Sequence, residues 1–445
     1  LQSAAAPRGA VLTTGAPAPD FPVVPVPAGD PRAASSGGRE VSWDLVRTTC
    51  VVLVMLYHAT SLATFLHPEL GVRALRFPLQ VGASTLLVLS GYFTCASVRR
   101  ADPARFWWGR FARIVPPFLV ANLVIFAVQR SDPVPGWFLP QPGDLGANLL
   151  MLWNWNPRGC AFLDPSHWTV PLQLLAFTAA AVLHSWGAAR RLSELSWAGV
   201  LVPIAQWPLR MANPPVLYSA VVDGIGMHRW HLFAAGVAIW SWSRGRVPNR
   251  QFAPLLGTCM AAQVLHSCTL SPAGIAVDWG SDVGVCLAVV VIAVAARGPR
   301  WDPFVPAPVG RFARWFAGIS YGTFLLHQSI GYLVCHELQR LGARPGVQVA
   351  GMLAVGVLLG WALTRTVERP VHRFLVAGGL NPLQPRVAAA EPGTGGIRPP
   401  EPPADALRSV HHVRTDGQRP AAFPAPRRQG PAAPVRGGQL RQRRR

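Results

Sequence analysis

Long apolar runs separated by short polar, arginine-bearing segments fill the middle of the chain. The runs lie near 42–66, 75–97, 112–129, 168–187, 195–212, 228–243, 252–270, 280–296, 315–336 and 347–367. Some fall short of the roughly 20 residues that a straight transmembrane helix needs. The run at 195–212 is broken by Pro203 and Pro208, which a span tolerates when neighbouring helices satisfy the freed backbone. The run at 228–243 is short and opens on His228, Arg229 and His231. The pattern predicts an all-α protein, a polytopic transmembrane helical bundle of about ten spans over residues 41–376. Residues 1–40 are rich in Ala, Pro and Gly without periodicity, and 377–445 are rich in Pro, Gly and Arg. Both are expected to be disordered tails. No charged segment followed by an apolar core opens the chain, so no cleavable signal peptide is read there.

Composition agrees. Of the 445 residues, 50% are apolar and only 14% charged, against about 25% in a soluble domain. The 17 Trp suit membrane interfaces. A net charge of +21 would suit nucleic acid, but no recognition motif accompanies it. There is no Lys, and the Arg residues sit in short loops and in the C-terminal tail. A cytoplasmic N-terminus puts Arg99, Arg100, Arg105, Arg110, Arg113, Arg190, Arg191, Arg244, Arg246 and Arg250 in inner loops. The positive-inside rule then predicts a multi-pass protein of the cell membrane with both termini cytoplasmic. The seven Cys form no CxxC pair and mostly lie in apolar runs, so neither a metal site nor a disulfide framework is expected.

The first span, VSWDLVRTTCVVLVMLYHAT, carries Asp44, Arg47 and His58. Ionisable groups in a span are costly and point to function. Arg47 and His58 are eleven residues apart, about three turns, so they share one face roughly 16 Å apart along the axis. Asp44, one turn before Arg47, can pair with it. An imidazole can take a proton near neutral pH, and a fixed guanidinium can hold an anion. Arg110 and Arg113 face one way at an inner helix end, as a phosphate clamp would. His167 is read as interfacial, and Asp278 and Asp282 as solvated in an outer loop. His184, His228, His231, His266 and His336 receive no role.

The Arg-x10-His arrangement resembles the signature of the membrane-bound acyltransferase 3 family, whose members O-acylate sugars, glycans and antibiotics. Five further segments agree in order: Leu89, Ser90, Gly91 and Tyr92; Arg110 and Arg113; Trp168 and Thr169; Ser320, Tyr321 and His327; and Glu368, Arg369 and Pro370. The resemblance runs from about 42 to 376. It implies acyl-CoA as co-substrate, its phosphates on Arg47, Arg110 and Arg113, and His58 as the base that deprotonates a hydroxyl acceptor, with Asp44 orienting Arg47. The acceptor, a sugar, glycan or macrolide-type product, is expected near Ser90, Trp168, Gln173, Tyr321 and His327. No metal is implied. One position departs: many members carry Glu where this chain has Gln173, which leaves open an inactive member or a different acceptor. A transporter or flippase is the other alternative, although no internal repeat links two halves of the sequence.

Overall fold

In hydrocarbon, a backbone must satisfy its own polar groups, which drives an apolar run into a helix. The computed structural model describes residues 40–377, except 72, 74, 101, 157, 158, 213, 214, 272 and 273. The two tails expected to be disordered lie outside the described residues, apart from residues 40 and 377. The helices are α1 (Val41–Leu66), α2 (Val81–Val98), α3 (Pro103–Ser131), α4 (Pro165–Ser185), α5 (Leu192–Met211), α6 (Trp230–Ser243), α7 (Asn249–Ser267), α8 (Trp279–Arg297), α9 (Ala307–Ala317), α10 (Ser320–Leu326), α11 (Ser329–Arg340) and α12 (Pro345–Val376). Short helices Pro142–Leu149 and Val216–Gly224 and one small antiparallel hairpin, Thr269–Ser271 with Gly274–Ala276, lie in the connections.

Among the described residues, six helices, α1 to α4, α8 and α12, are long and apolar enough to cross a membrane. The other expected spans fall on α5, α6, α7 and the α10–α11 pair, which are shorter or more polar. The run at 315–336, expected as one span, is instead a broken helix. Its first residues belong to α9, which ends at Ala317, and α10 and α11 are interrupted at His327 and Gln328. The loop before α4 and the first turn of α4 supply the partners that the broken ladder lacks. Asp164 accepts the Ser329 backbone N–H (2.9 Å), the Ser329 hydroxyl donates to Leu163 O (2.9 Å), and His167 Nε2 donates to Leu325 O (2.9 Å). His167 is therefore fully buried rather than interfacial. Asp282 is also buried, holding Gln263 and Ser267, so only Asp278 of that pair meets solvent.

Among the described residues, apolar side chains gather in two large cores and two small ones. One large core joins α2, α6 and α8 through Leu87, Leu232, Ile239 and Val289; the other joins α3, α4 and α10 through Phe118, Ile125, Phe177 and Leu325. Between membrane helices, packing rather than water exclusion drives association, so small residues matter. On α12, Gly356 lets the backbone at His327 come close: a Cβ there would lie 2.8 Å from His327 Cβ and 3.2 Å from Met55 Cε. Two five-residue π-helical turns, at His58–Leu62 and Thr364–Glu368, interrupt α1 and α12. Such turns re-aim side chains and are frequent at functional sites.

Candidate active site

His58 opens the π-turn of α1, and His327 stands in the break between α10 and α11. The two rings meet edge to edge, with His58 Nδ1 and His327 Nε2 2.8 Å apart and the ring planes within 4°. His327 Nδ1 lies 2.9 Å from Phe324 O. A carbonyl oxygen only accepts, so His327 Nδ1 carries the proton there. In the neutral pair, His327 Nε2 must then accept, and His58 Nδ1–H donates to it. The lone pair of His58 is thereby directed to Nε2. His327 is fully buried and His58 is 7% exposed. The arrangement yields one oriented proton acceptor backed by a second ring.

About three turns below His58, on the same face of α1, Arg47 and Val51 line a narrow cavity of about 100 Å³. It lies between the two large cores. Ser90 of α2, Arg110 and Arg113 of α3, Thr169 and Gln173 of α4, and Tyr321 and Phe324 of α10 complete much of its wall. Six residues singled out in the sequence, Arg47, Ser90, Arg110, Arg113, Gln173 and Tyr321, thus share one space. Phe324, whose ring centroid is 6.0 Å from that of His327, connects the cavity to the histidine pair.

Most polar groups here are already held. Arg110 donates to the Ser97 hydroxyl (2.7 Å) and lies over the rings of Phe106 and Phe177. Arg113 pairs with Glu368 (3.4 Å), whose other oxygen accepts from Thr364 (3.0 Å). The Arg113 side chain remains 44% exposed, at the open end. The Ser90 hydroxyl returns to Leu86 O (2.9 Å), and the Tyr321 hydroxyl donates to Ile114 O (2.9 Å). Asp44 is fully buried one turn before Arg47. Gln173 makes no hydrogen bond to any described residue, and the buried Thr169 hydroxyl likewise has no partner among them.

Trp168 is not part of this wall. Its ring lies under the Arg229 guanidinium, 3.8 Å from the centroid, and its neighbour Thr169 faces the cavity. Sequence reasoning missed Asp164, Ser166 and Ser329, which fix the helix break that presents His327. Only the Asp-Pro-Ser order of a helix cap signalled them. It also missed a second buried polar group, in which Arg210 donates to His266 (3.1 Å) and His231 to Gln263 (3.0 Å), and Gln263 donates to Asp282 (3.1 Å). Among the described residues, no three His, Cys, Asp or Glu are grouped as metal ligands.

The helices thus hold a paired, oriented imidazole above an arginine-lined cavity. Residues 40–365 match the family model described as an acyltransferase domain, and the chain belongs to that acyltransferase 3 family. Comparison with curated proteins and with solved structures gave no match.

Proposed function

We propose that this protein is a multi-pass O-acyltransferase that moves a short acyl group, such as acetyl, from acyl-CoA to a hydroxyl of a sugar, glycan or natural product. The observation that carries the reading is the chain from Phe324 O through His327 to His58, which leaves His58 Nε2 as proton acceptor. The cavity is too narrow for a nucleotide but suits the thioester arm. The donor's phosphates would sit at its open end on Arg110 and Arg113, with Arg47 further in. This end belongs to the cytoplasmic side, as the Arg-rich loops argue, with both termini on that side.

His58 Nε2 takes the acceptor hydroxyl's proton as that oxygen attacks the thioester carbonyl. The C–O bond forms, the C–S bond breaks, and the leaving thiolate takes the proton back from His58. Ester and free CoA result. His327 strengthens its bond to His58 while the latter is charged, and so acts as a positioning residue rather than an acceptor contact. The acceptor meets Gln173 and Thr169, the wall groups with hydrogen-bonding capacity to spare.

The test is His58→Ala in purified protein supplied with acyl-CoA and acceptor. Loss of thiol release with donor binding retained supports the reading; turnover like wild type removes the proposed base. Movement of unmodified acceptor across vesicles, without thioester consumption, would favour a transporter.

A further inference from the structure

Helix α4 has two working faces. Thr169, Gln173 and Phe177, spaced four apart, face the arginine-lined cavity. Leu172, Leu175, Ala176, Ala179 and Leu183 face away into a separate groove of about 490 Å³ between α2, α4, α5 and α6. That groove is almost wholly apolar along its length, with Val98, Leu195, Phe233 and Val237 among its walls. At one end it runs into a polar hollow of about 440 Å³, sharing Arg99, His184 and Leu192 with it.

Three guanidiniums line the hollow: Arg99 after α2, Arg190 in the α4–α5 connection, and Arg246 after α6. Arg99 and Arg246 are held together on one indole, 5.7 and 5.0 Å from the Trp240 ring centroid. Among the described residues, no carboxylate forms an ion pair with any of the three. His184, which lines both spaces, has a buried Nδ1 without a partner. An arginine placed only by loop topology needs no such convergence. Here three loops bring positive charge to the mouth of a slot with little else in it that is polar.

We propose that this composite depression is a binding site for an anionic phospholipid, with one acyl chain in the groove and the phosphate among Arg99, Arg190 and Arg246. The chemistry fits both halves: apolar walls match a hydrocarbon chain, and guanidinium forks match phosphate oxygens. A zwitterionic lipid carries a compensating ammonium and gains less. The site lies on the opposite face of α4 from the acyl-transfer cavity and does not depend on the reading of that cavity.

The full chain in detergent, titrated with phosphatidylglycerol or with phosphatidylcholine of the same chains and analysed by native mass spectrometry, tests the proposal. One phosphatidylglycerol should be retained per chain, about tenfold or more tightly than phosphatidylcholine. Combined Arg99→Gln, Arg190→Gln and Arg246→Gln should abolish that preference, and the matching Lys substitutions should keep much of it. Ala179→Trp, at an exposed wall position, should block retention of either lipid while the three arginines remain. Gel filtration and thermal unfolding identify variants that still fold. Equal retention of both lipids, an unchanged preference in the Gln variant, or full displacement by millimolar inorganic phosphate would overturn the proposal. A change of oligomeric state in Ala179→Trp without lipid loss would also overturn it, by assigning the groove to a second copy of the chain.

Discussion

Replacing His327 with alanine removes the acceptor that fixes His58 in one tautomer. In the resting protein, that contact is a neutral hydrogen bond of 2.8 Å, with a net value of about 1 kcal/mol. When His58 holds the acceptor's proton, the same contact becomes charge-assisted and contributes about 1.5–3 kcal/mol. The difference, about 0.5–2 kcal/mol, is available only in the transition state and corresponds to roughly 2–30-fold in kcat. A second effect adds to it. Without the acceptor, His58 also populates the tautomer with hydrogen on Nε2, which cannot take a proton from a hydroxyl. The expected total is a loss of about 10–100-fold in kcat. The KM for acyl-CoA should be nearly unchanged, because Arg47, Arg110 and Arg113 are untouched. His327→Gln, whose Oε1 can occupy the place of Nε2, should recover part of the loss. Thiol release at saturating donor, with the acceptor varied, is the assay. A kcat within twofold of wild type would refute the relay. A loss confined to acceptor KM would instead return His327 to substrate binding.

Arg110→Gln should raise donor KM about tenfold with little change in kcat, since a phosphate contact far from the reacting atoms binds ground and transition states alike; initial rates against donor concentration check this. Gly356→Ala places a methyl against His327 Cβ, where overpacking costs about 1–3 kcal/mol, so both thermal stability and kcat should fall. Gln173→Glu should weaken donor binding by setting a carboxylate in a cavity lined by three guanidiniums, and that weakening should ease as salt rises; equilibrium binding of acyl-CoA at two salt concentrations decides it.

What was legible in the sequence follows from the physics of each element. The run containing Arg47 and His58 had to be a helix, and helical geometry alone put both groups on one face. Arg110, Arg113, Gln173, Ser90 and Tyr321 were named through the family resemblance, as donor and acceptor residues; that they line one common space was not readable, because local periodicity carries no information about which helices meet. The break at His327 was not readable. SYGTFLLHQSIGY is a good apolar helix in isolation, and Asp164, Ser166 and His167, about 160 residues away, offer its backbone an alternative. The same distance hid the role of His327: one imidazole in an apolar run has no visible partner until α1 and α10 are packed together. Trp168 and Thr169, neighbours in the first turns of α4, face different surroundings, the indole against Arg229 and the threonine toward the cavity.

Charge in the cavity gives the glutamine a reading other than loss of activity. Serine, tyrosine and arginine groups in the wall are tied to backbone, to Ser97 or to Glu368. Gln173 and Thr169, one turn apart on α4, retain hydrogen-bonding capacity facing the same space. A carboxylate at 173 would compete with a polyanionic donor for guanidinium charge, whereas an amide leaves that charge to the donor and still both donates and accepts. An inactive descendant needs neither a coplanar histidine pair nor a glycine that lets one of its members approach, and this chain has both. On the proposed reading, the base and its support are in place independently of residue 173. On this reading, the substitution changes how the acceptor is recognised and leaves the proton-transfer step to His58.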